Sequence, residues 1–146
     1  MTTSQTSGVT STKPGAGKVW GYGLVATVLA VVLNSVVGLV LRSALDISDK
    51  FLPLSPGAII FFTLLPGLAA IVLYLIVRRR ASRPGRLFAI IVLSLAAVSL
   101  IAPLGLLGAD AADWEGLTTG AALSLLPLHI IPAVVLAAVF SRLDPR

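Results

Sequence analysis

The chain contains no cysteine. That absence removes disulfides, thiolate metal ligands and thiol redox chemistry together, and with them membrane oxidoreductases that work through cysteine pairs. Charge is scarce as well: Asp, Glu, Lys and Arg make up 12% of the 146 residues, against 57% apolar. A soluble domain carries about 25% charged residues, so this composition excludes one. Histidine occurs once, at His129, and aromatic residues are 6% of the chain. No Asp or Glu falls inside the four long uncharged runs, 19–41, 51–77, 87–109 and 116–141.

What is present is apolar length. Each run exceeds the roughly 20 residues that a helix needs to cross a hydrocarbon core. A buried helix of a soluble protein would show a polar face, and these runs show almost none. The fold class is therefore all-α: an integral membrane bundle of four transmembrane helices, up-down, with spans at about 19–41, 55–77, 87–109 and 117–140. Residues 1–18, "MTTSQTSGVTSTKPGAGK", are rich in Ser, Thr and Gly without apolar periodicity, and are expected to be a disordered tail. Residues 143–146 form a short C-terminal tail. A cleavable signal peptide is the competing reading of the first span, but the apolar stretch is too long for an ordinary signal core.

The net charge of +5 could suggest a nucleic-acid partner, yet its distribution argues for topology. Lys13, Lys18, Arg78, Arg79, Arg80, Arg83, Arg86, Arg142 and Arg146 lie on one side of the bundle, and only Arg42 and Lys50 on the other. The positive-inside rule then places both termini and the basic loop of Arg78, Arg79, Arg80, Arg83 and Arg86 in the cytoplasm. That loop could also meet anionic lipid head groups, although orientation signals use the same residues. The opposite side holds Asp46, Asp49, Asp110, Asp113 and Glu115, and Trp20 and Trp114 fit interfacial anchors.

Helices in lipid associate through close packing and interhelical hydrogen bonds, so small and polar residues mark contact faces. Ala26, Ala30, Asn34 and Gly38 recur every four residues in the first span. Thr63, Gly67 and Ala70 do so more briefly in the second, and His129, Ala133 and Ala137 in the fourth. Counting depth from the span centres puts Asn34, Thr63, Ser99 and His129 near one level, a candidate intramembrane polar layer. Pro66, Pro103, Pro127 and Pro132 lie within spans, and each disturbs the carbonyl one turn earlier. His129 then has two main readings beside a lesser one, a snorkelling or oligomer contact. The structural one makes it a donor to a freed carbonyl or to Asn34; the functional one makes it a proton relay or ligand group.

No catalytic, cofactor-binding or metal-binding residue stands out. One His without Cys or a membrane-embedded acid cannot close a zinc site. "GAGK" at 15–18 lacks the strand, spacing and hydroxyl of a phosphate loop. Four-helix proton-coupled exporters need a buried carboxylate, which the spans lack. The reading favoured is a non-enzymatic accessory or scaffolding subunit, associated with the bilayer and with further copies or another membrane protein. The alternative is a small oligomeric transporter or channel built on the layer around Asn34 and His129.

Four segments carry a family resemblance: "LNSVVGLVLRSALDI", "LSPGAIIFFTLLPGLAAIVLYLIVRRRASRPGRLF", "VSLIAPL" and "LPLHIIPAVVLAAVFSRL". Over about residues 24–143 the chain resembles the small bacterial membrane proteins of domain of unknown function family 6069. Asn34, the Arg-rich turn ending in Phe88, and His129 are the strongest points. The resemblance implies four helices and a bacterial cytoplasmic membrane location, and supplies neither an activity nor a cofactor.

Overall fold

A computed structural model describes residues 14–110 and 112–143. The tail at 1–13, with Lys13, and residues 144–146, with Arg146, lie outside the described residues. The helices are α1 (Ala16–Ala44), α2 (Pro56–Arg80), α3 (Pro84–Ser99), α4 (Ile101–Gly105) and α5 (Thr119–Ser141), with 3-10 turns at Leu52–Leu54 and Leu106–Gly108. Among the described residues, four helical segments are long and apolar enough to cross a membrane: α1, α2, the composite Pro84–Gly108, and α5.

Local chemistry sets the ends. Ser55 caps α2 by accepting from the Ala58 amide, with Pro56 in the first helical position, where its missing N–H costs nothing. Arg78, Arg79 and Arg80 occupy the last turn of α2, opposite the negative end of its dipole. Thr118 caps α5 by accepting from Ala121 at 3.0 Å. α1 begins at Ala16, inside the stretch expected to be a disordered tail. Val19 donates to the Gly15 carbonyl there, and the Lys18 ammonium lies 6.0 Å from the Tyr22 ring centre. The third span is not one helix. Pro103 has no amide for the Ser99 carbonyl, and the helix breaks at Leu100, whose N–H is shared between Ala96 and Ala97.

The helices run up and down as a ring: α1 lies against α2 and α5, and α3 against α5 and α2. At one end, the basic end, Tyr74, Phe88 and Phe140 stack with ring centres 4.6 to 5.4 Å apart. Val19 joins them, so all four spans share this fully buried cluster. Arg78 donates to the Pro14 carbonyl at the same end. Phe51 and Leu54 pack with Ile59, Ala121, Leu125 and Leu128 at the other, acidic end. Gly116 permits that closure. Its φ is +78°, and an added Cβ would lie 3.0 Å from the Phe51 amide nitrogen. Ion pairs of Arg42 with Asp49 and of Lys50 with Glu115 decorate the acidic loops. Lys50 and Glu115 are both largely exposed, so their pair contributes little.

The seam between α1 and α2 is the tightest contact. The buried face of α1 is Val19, Gly23, Ala26, Thr27, Ala30, Asn34 and Gly38, the expected stripe with Val19, Gly23 and Thr27 added. A Cβ on Gly67 would fall 2.5 Å from the Thr27 methyl, and one on Gly23 2.5 Å from Ile71 Cγ1. A Cβ on Gly38 would run into Ile59 in the same way. Thr27 spends its hydroxyl on the Gly23 carbonyl at 2.8 Å, leaving its methyl to pack. Ala30 is 1% exposed, whereas its neighbour Leu29 is 46% exposed. Ala30→Leu should therefore overpack the seam and destabilise by about 1–3 kcal/mol. Leu29→Ala should change thermal stability in detergent by less than about 0.5 kcal/mol. Equal losses from both variants would show that the stripe is not a packing face.

Candidate functional site

The site begins with a proline. Pro132 lies inside α5 and has no N–H, so the Leu128 carbonyl, one turn earlier, loses its helical partner. Asn34 on α1 supplies the substitute: its Nδ2 donates to the Leu128 carbonyl at 2.9 Å. The same nitrogen donates to Thr63 Oγ1 on α2, also at 2.9 Å. One amide thus ties three helices at mid-bundle. A carbonyl can only accept, so the Leu128 contact fixes which end of the Asn34 amide is nitrogen. Both N–H groups are spent. The other end, Oδ1, is buried and has no hydrogen-bond partner.

His129 is half-buried rather than central in the packing. Its Nδ1 lies 2.8 Å from the Leu125 carbonyl of its own helix. That acceptor requires the hydrogen on Nδ1, so the uncharged ring presents an Nε2 lone pair. Asn34 therefore bonds the peptide carbonyl beside His129, not the imidazole itself. Ser99, half-buried at the break in the third span, donates to the Ala96 carbonyl at 2.7 Å. The four residues of the expected polar layer divide into two groups: Asn34 and Thr63 bond each other, whereas His129 and Ser99 bond their own helices.

All four nevertheless line one cavity of about 870 Å³. α2 and α3 meet through Tyr74 and Phe88 at the basic end, and the cleft lies between these helices, with α5 behind it. Its walls include the small residues Ala69, Ala70, Ala96 and Ala133, and Leu52 and Trp114 line it toward the acidic end. None of its lining residues is charged. Among the described residues, no three His, Asp or Glu side chains gather as a metal-binding group.

The basic loop occupies the opposite pole of the bundle from Leu52 and Trp114. Arg79, Arg80, Arg83 and Arg86 are exposed, and Arg78 is half-buried against Pro14. Two important features escaped the sequence reading. The sequence frees a carbonyl one turn before Pro132, but it does not say that Asn34 on another helix meets it. The Tyr74–Phe88–Phe140 cluster had no comparable signal, because aromatic residues in apolar spans look like any other lipid-facing side chain.

An all-helical ring of four membrane-length segments, with its polar atoms turned inward, defines a multi-pass membrane protein. The chain belongs to the family described as "Family of unknown function (DUF6069)", whose model matches residues 14–146. No curated protein and no solved structure matches the chain.

Proposed function

We propose that this protein is a non-enzymatic accessory or scaffolding subunit of the bacterial cytoplasmic membrane, with both termini and the basic loop cytoplasmic. The carrying observation is where the membrane-embedded polar atoms go. Asn34 commits both of its donors to joining α1, α2 and α5, and Thr63 receives one of them. His129 and Ser99 bond carbonyls of their own helices. These groups hold a bundle together; they do not converge on a point where bonds could be made or broken. Further copies of the chain, or another membrane protein, are its partners in this reading, and anionic head groups are partners of the exposed arginines.

Orientation is tested with single cysteines, which the cysteine-free chain makes simple. Ser7→Cys and Ser82→Cys should resist an impermeant thiol reagent in intact cells, and Asp113→Cys should react. Strong labelling at position 82 would reverse the topology.

Activity is tested in reconstituted vesicles. Vesicles carrying the protein should pass protons and small cations no faster than empty ones. In-cell crosslinking should trap a discrete complex of higher mass. A proton flux that varies with pH and disappears in His129→Gln would replace the scaffolding role with a transport one.

A further inference from the structure

We infer that the cleft between α2, α3 and α5 binds an uncharged, lipid-soluble molecule bearing a hydroxyl group, with His129 as the hydrogen-bond acceptor. This inference concerns the isolated chain and does not rest on the accessory role above. Its first support is size. About 870 Å³ lies within the range of roughly 300–1,000 Å³ typical of small-molecule pockets. Ala69, Ala70, Ala96 and Ala133 make that space by contributing only a methyl group each to the walls.

Charge supplies the second support. None of the lining residues is ionisable as an acid or a strong base, so an ionised head group would enter without a counter-charge. The ligand is therefore neutral. Entry is from the side, because the lining residues Phe62 and Ala69 are exposed on the apolar flank of the bundle. A molecule dissolved in the bilayer reaches the cleft without crossing a polar surface.

The third support decides the chemistry of the head. Asn34 lines the cleft but has nothing to offer a ligand, because both N–H groups are spent within the bundle and Oδ1 is sealed from the surface. The Nδ1 contact of His129 leaves the Nε2 of an uncharged ring as an acceptor. Ser99 has used its hydroxyl hydrogen on Ala96 and can likewise only accept. Acceptors in an apolar cleft, His129 foremost, call for a donor. A hydroxyl provides one; an ether, an ester or a hydrocarbon does not.

Glycerides and isoprenoid alcohols both offer a neutral hydroxyl on a long apolar chain, and the probes distinguish them. Dioleoylglycerol and geranylgeraniol are titrated into the full-length protein in detergent micelles, each beside its O-methyl ether, with native mass spectrometry reading occupancy. At least one alcohol should bind about tenfold tighter than its ether, and which one does so names the source. Ala69→Trp, placed on an exposed wall, should keep the wild-type melting temperature and weaken binding about tenfold or more. His129→Leu should erase the preference for alcohol over ether even where some affinity persists. Equal binding of alcohols and ethers, unchanged affinity in Ala69→Trp, or no binding by either alcohol would each overturn the inference.

Discussion

Asn34→Ala is expected to destabilise the bundle by about 2 kcal/mol. It removes two hydrogen bonds and leaves the Leu128 carbonyl buried without a donor. An orphaned carbonyl costs about 1–3 kcal/mol. Bonds between membrane helices average nearer 0.6 kcal/mol, because the separated helices also find partners. The discriminating measurement is a double-mutant cycle with Pro132→Ala. Residue 132 is already helical, so an alanine there restores an N–H that points back at Leu128. With that carbonyl satisfied from within α5, Asn34→Ala should cost about half as much, a coupling of about 1 kcal/mol. Additive losses would mean that Asn34 does not serve the carbonyl freed by Pro132.

Phe140→Ala should cost more, about 3 kcal/mol or above, read as loss of thermal stability in detergent. The ring is fully buried and lies 4.6 Å from Tyr74 and 4.7 Å from Phe88, centre to centre. Lipid is as apolar as the bundle interior, so the loss comes from dispersion contacts and the cavity left behind rather than from exposure to water. Phe62→Ala is the control. Phe62 is 69% exposed on the flank, and its removal should change stability by less than about 0.5 kcal/mol. Similar losses from the two variants would show that the cluster is not what holds the basic end closed.

Much of the fold was legible because charge is so costly in a membrane. Uninterrupted apolar runs could only be spans, and four-residue spacing of Ala26, Ala30, Asn34 and Gly38 could only be one face. Depth followed from counting residues, which is why Asn34 and Thr63 could be placed at one level. Rotation about the helix axis did not follow, so spacing alone could not say whether Asn34 meets an imidazole, a hydroxyl or a peptide carbonyl. The break at Leu100 depended on how the chain handled the carbonyl below Pro103. Pro66, Pro127 and Pro132 sit in helices that continue, so proline itself does not announce the difference. The cleft arises where α2 and α3 diverge, a property of two helices together that neither sequence carries alone.

The α1–α2 seam limits how this protein can move. Thr27 sits over Gly67, and one turn in either direction it would meet Thr63 or Ile71, neither of which leaves the space of a missing Cβ. Gly23 under Ile71 and Gly38 under Ile59 repeat the restriction along the same pair of helices. The two helices are meshed like the teeth of a rack, and sliding by a turn would collide at every tooth. Piston strokes along the membrane normal are closed to them.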